Sequence, residues 1–260
     1  MSLLAGKKAL IFGVANDHSI AWGIAKSLKE HGAEVGFSSV EMMLEKRVRP
    51  LAQSIGSTFV EPCDVQKDED IARVFSRWSD RYGDLDILVH ALAFARREDL
   101  DGRFVDTSRD GFALALDISA FSLVALAHGG APLMKNGGSI MTLSYYGAEK
   151  VVANYNVMGV AKAALEASVR YLANDLGPTG IRVNAISAGP VRTLAASGVA
   201  NFRKMYGMFP DMAPMRRNIT LEDVGGAAVY LASDLSLAVT GETLYVDSGF
   251  NVLGVPTPES

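Results

Sequence analysis

Apolar positions along the chain follow two alternating rhythms. Short runs dominated by Val, Ile, Leu, Phe and Ala occur at residues 7–13, 34–38, 58–61, 85–91, 139–144, 182–186 and 243–246, and their length and branching read as strands. Between them, residues 20–31, 42–54, 68–82, 118–134, 156–176 and 221–233 carry apolar side chains three and four positions apart, the spacing of a helix with one buried face. Strand and helix alternate throughout, and parallel neighbours need long crossovers, so the order predicts a parallel sheet covered on both faces. The expected fold is α/β: a single Rossmann-like, doubly wound sheet of seven parallel strands, one domain over residues 1–260. The punctuation agrees. Gly32 and Gly83 follow helical stretches as C-terminal caps, and Thr220 with Asp223 three residues later reads as a capping box.

Composition narrows the class of protein. With 49% hydrophobic and 21% charged residues over 260 positions, the chain can bury a full core, and it has no linker-like or repeated stretch. A net charge of −4 gives no basic footprint for a phosphate backbone, so nucleic acid is not an expected partner. The one cysteine, Cys63, cannot make an internal disulfide and no Cys/His cluster has zinc-ligand spacing; no metal and a reducing, cytoplasmic setting are expected. Lys7-Lys8 before the apolar run at 9–15 looks like a short signal core, but Asn16-Asp17-His18 ends it early and a buried strand fits better. No run approaches the roughly 18 apolar residues of a membrane span, so no membrane insertion is expected.

In such sheets ligands sit beyond the carboxyl ends of the strands, which draws attention to the first loop. It reads Gly13-Val-Ala-Asn-Asp-His-Ser19-Ile20-Ala-Trp-Gly23. This is not GxGxxG, yet Gly13 permits a tight exit, Ser19 can cap the helix and meet a phosphate, and Gly23 allows close helix–strand packing. The competing reading is a plain turn with a serine cap and no ligand. Asp64 and Val65, just past the third strand, stand where an adenine edge could be met, although Asp64 could also be only an N-cap. The segment Ser38-Ser39-Val40-Glu41 ends the second strand with no acid and no adjacent arginine, so the rule separating NAD from NADP speaks weakly; NADH is the reading adopted.

The fifth strand delivers the chain to Tyr145, and the helix beginning near Tyr155 carries Lys162. Seven positions at about 100° each return Tyr155 and Lys162 to nearly one face, two turns apart. A lysine among Val157, Met158, Val160, Ala161 and Leu165 needs a partner. A snorkelling lysine beside a packed tyrosine is the bland alternative.

These features, together with "NAISAGPVRTLAASG" at residues 184–198 and "VDSGF" at 246–250, closely resemble the bacterial NADH-dependent enoyl-[acyl-carrier-protein] reductases of the short-chain dehydrogenase/reductase superfamily. The resemblance covers nearly the whole chain. Carbonyl-reducing members place tyrosine four residues before the lysine, but that position here is Met158. The departure has a physical rationale: hydride added at the β-carbon of an enoyl thioester develops charge on an oxygen several bonds away. Setting the tyrosine three residues back moves its attachment about 4.5 Å along the helix. The resemblance implies reduction of the C2=C3 bond of trans-2-enoyl thioesters on acyl carrier protein by NADH, the last step of each cycle in type II fatty acid synthesis. Tyr155 is expected to stabilise the enolate oxygen, Lys162 to hold the nicotinamide ribose, and Tyr145 to position substrate or assist protonation.

By the same resemblance Gly13, Ser19, Ile20, Val40, Asp64, Val65, Leu92, Lys162, Val191, Arg192, Thr193, Leu194 and Ala195 bind cofactor, while Ala95, Tyr145, Tyr155 and Met205 border substrate. Residues 194–210 are expected to form a lid, with Arg203 and Lys204 meeting the acidic carrier protein; an ordinary surface helix burying Phe202, Met205 and Phe209 is the competing reading. His90 is read as structural. Val40 and Ala153 depart from the family pattern, where a polar residue and a proline are usual. A homotetramer is implied. Two alternatives remain: a 3-oxoacyl or other carbonyl reductase, disfavoured by Met158, and a non-catalytic nucleotide-sensing member of the fold.

Overall fold

The computed structural model describes residues 2–193 and 202–254. Its strands β1 (Lys8–Phe12), β2 (Glu34–Ser39), β3 (Val60–Pro62), β4 (Ile87–His90), β5 (Gly138–Ser144), β6 (Ile181–Ala188) and β7 (Thr243–Val246) form one sheet. Its order is β3-β2-β1-β4-β5-β6-β7, with every neighbouring pair parallel. The order reverses between β1 and β4, so the loops after these two strands open on one crevice at the carboxyl edge.

Central strands are buried on both faces because helices cover both. On one side α1 (Ile20–Glu30), α3 (Arg49–Ser54), which follows the short α2 (Glu41–Met43), and α10 (Leu221–Ala232) pack Trp22, Ile24, Leu28, Ala52, Val224 and Leu231 against Ile11, Val89 and Ile186. On the other, α4 (Asp68–Tyr82), α7 (Ser122–Gly130) and α8 (Asn156–Leu176) pack Val74, Trp78, Leu123, Leu126, Leu165 and Val169 against Leu10, Leu88 and Ile140. Burial of this apolar surface is the main stabilising term.

Three local expectations are corrected. The helix expected to start at 118 begins at Arg109: Ser108 caps α6 (Arg109–Leu116) by accepting from the Gly111 amide. A π turn, Asp117–Phe121, then joins α6 to α7, and a second, Leu44–Val48, joins α2 to α3. The expected helix–strand contact at Gly23 is helix–helix. A Cβ there would lie 2.8 Å from Leu221 Cβ, and one at Gly225 would strike Ser27, so the two glycines let α1 and α10 touch closely. Finally, Asp64 caps no helix. Lys67 precedes α4, and the Asp64 carboxylate accepts from the Gln66 amide instead.

The run Arg109–Leu133 is, by length and composition alone, apolar enough to cross a membrane. Its second half packs into the core through Leu123, Leu126 and Ala127, while Phe112 and Phe121 are exposed.

Candidate active site

Gly13 leaves β1 with φ of +100°, a backbone region unfavourable for side chains, and an added Cβ would lie 2.1 Å from the Ala91 carbonyl oxygen. The loop after β1 therefore lies directly against the loop after β4, with Leu92 also at hand. The Gly13 amide donates to the Ser38 carbonyl, and Ser39 Oγ donates to the Val14 carbonyl, tying in the end of β2. Ser19 caps α1: its hydroxyl accepts from the Trp22 amide and donates to the Asn16 carbonyl. First-turn amides of an eleven-residue helix are thus turned to the crevice, a setting that suits a phosphate. Val40 is exposed at the end of β2, while Ile20, Asp64, Val65 and Leu92 are partly buried around the same edge.

Beyond β4, the π turn aims Ser119 at the loop. Ser119 Oγ accepts from the Phe94 amide and donates to its carbonyl, fixing the backbone next to Ala95. Beneath lies His90, fully buried, with Nε2 2.7 Å from Ser122 Oγ and Nδ1 2.7 Å from Thr142 Oγ1. Ser122 spends its own proton on the Ile118 carbonyl, so Nε2–H donates to Ser122 and Nδ1 accepts from Thr142. Burial, helped by the Lys162 charge, drives the imidazole pKa down to about 3. It is neutral and internally satisfied.

The tyrosines meet at the carboxyl end of β5. Tyr145 and Tyr155 contact edge to face, with centroids 5.0 Å apart. Tyr155 stands at the head of α8 between Asn154 and Asn156, both with positive φ, and the Asn156 side-chain amide donates to the Leu100 carbonyl at the end of the short α5 (Arg97–Leu100). Gly147 passes so close that a Cβ would lie 2.5 Å from the Tyr155 ring, and one at Gly159 would lie 2.8 Å from the Gly147 carbonyl. Both phenols are protonated at neutral pH: burial pushes Tyr145 up to about 12, and Tyr155 higher still, with the neighbouring Tyr145 and Glu166 adding to burial.

Lys162 is buried on the same helix face and donates to the Leu143 carbonyl at 2.7 Å. Burial lowers its pKa to about 8, and Glu166 resists that fall. A buried ammonium carries three donors, and Leu143 is the hydrogen-bond acceptor it finds among the described residues. Such a group fits a ligand offering vicinal hydroxyls, as a ribose does.

In front of Tyr145 opens a cavity of about 490 Å³ lined by Tyr145, Val152, Pro190, Met205, Phe209 and Phe250 among others. The Tyr145 hydroxyl donates to Met205 Sδ at 3.6 Å. Tyr155 lies set back from this wall. Met205 comes from α9 (Phe202–Met212), in which Phe209 is buried, Phe202 and Met205 are partly buried and Arg203 and Lys204 are exposed, a pattern that a surface helix and a substrate cover share. After β6, Val191 packs on the core, Arg192 stacks on the Tyr206 ring at 4.5 Å, and Thr193 is partly buried; Leu194, Ala195 and the lid residues 194–201 lie outside the described residues. A larger open groove of about 720 Å³ runs along the β3 edge, but its arginines are engaged: Arg73 with Asp70, Arg77 with Glu61 and Arg81 with Thr58.

Sequence reasoning passed over Gly147, Gly159, Ser119 and Glu166. Glu166 was within reach, since an acid one turn beyond Lys162 on an apolar face raises the same question as the lysine.

This strand order, with a glycine-exit loop after β1 and a Tyr/Lys face on the helix after β5, defines a short-chain dehydrogenase/reductase. A family model described as Enoyl-(Acyl carrier protein) reductase matches residues 13–251, and the chain belongs to that family. Among relatives, the Rickettsia conorii enoyl-[acyl-carrier-protein] reductase [NADH] FabI is 56% identical over 252 residues, covering 97% of each chain. The solved Anaplasma phagocytophilum enoyl-(acyl-carrier-protein) reductase, in complex with NAD, matches at TM-score 0.95 and 54% identity, covering 98% of this chain and 97% of that one. The Bacillus cereus enoyl-acyl carrier protein reductase, with NADP+ and indole naphthyridinone, matches at TM-score 0.96 and 54% identity, covering 98% and 100%.

Proposed function

We propose that this protein reduces the C2=C3 bond of trans-2-enoyl thioesters on acyl carrier protein with NADH, closing each elongation cycle of type II fatty acid synthesis. The observation that carries this reading is the donor set beside an apolar cavity: a protonated Tyr145 phenol on its wall, the Tyr155 phenol packed behind it, and Lys162 on the Tyr155 face of the helix, with Met158 where a carbonyl reductase has tyrosine. NADH, when bound, supplies the hydride that adds at C3. As the C3–H bond forms, the π electrons move toward the thioester oxygen, and the Tyr155 phenol is the donor suited to that charge. Lys162 holds the ribose side through its free ammonium donors, and its charge eases the growing negative charge. Water supplies the proton that completes the product at C2, with Tyr145 positioning the acyl group beside Met205 or assisting that transfer.

Gly13, Ser19, Ile20, Val40, Asp64, Val65, Leu92, Val191, Arg192 and Thr193 are the residues we assign to the cofactor's side, Leu194 and Ala195 by family resemblance alone. Ala95 and Met205 border the acyl chain, and α9 serves as the cover of a one-domain enzyme. Exposed Arg203 and Lys204 on α9 suit an acidic carrier protein. A homotetramer in the cytoplasm is the setting we infer; the exposed aromatics Phe112 and Phe121 on the long helix offer apolar surface to a second copy.

The deciding assay follows loss of NADH absorbance with crotonyl-CoA and with acetoacetyl-CoA. Oxidation with the enoyl substrate alone is expected. Oxidation with the keto substrate alone would establish carbonyl reduction instead, and binding of NADH without turnover would establish a sensing role.

A further inference from the structure

Two consecutive residues at the end of β5 are fastened to one face of α8, one turn apart. The Leu143 carbonyl takes the Lys162 ammonium at 2.7 Å, and Ser144 Oγ donates to the Glu166 carboxylate. Glu166 follows Lys162 by four positions and Tyr155 by eleven, so all three share a helix face. At 8% exposure a carboxylate is costly there, and a leucine would fill the same site with no polar group to satisfy. What the acid gains is the Ser144 bond. Burial raises the carboxyl's pKa and the nearby Glu149 adds to that, while the Ser144 hydrogen bond and the Arg170 and Lys162 charges pull it back. The residue after Ser144 is Tyr145, whose ring meets Tyr155 at 5.0 Å, and the close passage of Gly147 leaves the two rings little slack.

We propose that Glu166 is a positioning residue: through Ser144 it sets the end of β5, and so holds the Tyr145 phenol against Tyr155 at the cavity wall. The idea rests on the reading of Tyr145 as a substrate-side group. The groups facing this clasp are Lys162 and Arg170 on α8, Ser144 on β5, Glu149 in the turn after Tyr145, Tyr245 on β7 and, beyond Lys162, His90 on β4. Tyr245 in turn donates to Glu149, which leads the chain of polar groups toward the surface.

Ser144→Ala removes the donor, Glu166→Leu removes the acceptor at similar volume, and Glu166→Gln keeps an acceptor but drops the charge. The first two are expected to lower kcat about tenfold each with NADH affinity held within about twofold, as slight misplacement of a reacting group does. The double variant should fall no further than the worse single, because both cut one link. Glu166→Gln should recover most of kcat, while the alkaline limb of its pH profile moves to lower pH, since Lys162 loses the negative neighbour that supports its charge. A crystal structure of Ser144→Ala should show the Tyr145 ring displaced from Tyr155. An unchanged kcat in Ser144→Ala, additive losses, or a loss confined to NADH binding would overturn the proposal, as would an unmoved Tyr145 ring. If wild-type protein does not reduce crotonyl-CoA, the proposed function fails, and the ring position still decides the clasp. Should Glu166→Leu fail to fold, Ser144→Ala and Glu166→Gln carry the test alone.

Discussion

Lys162 keeps a charge where burial opposes it, and its pKa of about 8 puts the consequence within reach of ordinary buffers. Turnover should decline as pH rises through about 8, where the ammonium is lost. Stability should move the other way. The unfolded chain holds this proton up to its ordinary pKa of 10.5, whereas the fold releases it near 8, so wild type gains stability between these values relative to Lys162→Met. Urea unfolding at pH 8 and pH 10 checks this. His90 gives the acid counterpart. Unfolded chains take up its proton near 6.5 but the fold refuses it until about 3, so stability drains away across that window, by several kcal/mol if the site stays closed. His90→Gln should unfold more easily at pH 7 yet show a flatter decline to pH 4. Tyr155→Phe should cost about 100-fold in kcat for crotonyl-CoA with NADH binding retained, and an unaltered rate would remove its enolate role. At this scale the chain announced its chemistry unevenly. Tyr155 and Lys162 stand out because helical spacing aligns them, whereas Ser144 and Glu166 come from different elements and meet only through β5 packing on α8.

Elements place these residues, and two of them invite tests. On α9, reversing Arg203 and Lys204 to glutamate should raise KM for a carrier-linked enoyl substrate by about tenfold while leaving the CoA thioester nearly untouched, because complementary rim charge mainly assists encounter. Equal losses would detach α9 from the carrier. In the loop after β1, Gly13→Ala should cost about 2 kcal/mol or more in urea unfolding and weaken NADH binding, since the added carbon meets the Ala91 carbonyl at a strained φ. The alternation of strands and helices was plain in the hydrophobic pattern. The π turn at Asp117–Phe121 was not, because the flanking segments are apolar on most positions and the phase shift of one extra residue is lost among them; its effect, aiming Ser119 at Phe94, exists only once α6 and α7 lie beside β4. Gly23 misled for a similar reason: a small residue predicts close approach but not which neighbour makes it.

For the molecule as a whole, the seven-stranded order gathers the ends of β1, β4, β5 and β6 on one edge, so cofactor binding should brace the fold globally. Ligand at 100 times its Kd adds about 2.7 kcal/mol, which for a chain this size is a rise in melting temperature of roughly 5–10 °C. NADH should produce that shift at lower concentration than NADPH, and the reverse order would assign the preference to NADPH. Where this edge reaches the outermost strand, Cys63 lies just past β3, buried, its thiol pushed up to about 12 mainly by that burial and also by Asp70. As the one cysteine in the chain, it is a built-in clock. Alkylating reagents can reach it only when the β3 margin detaches from α4, so the labelling rate measures how often this border of the sheet opens, and NADH, assigned to the adjacent Asp64 and Val65, should slow it.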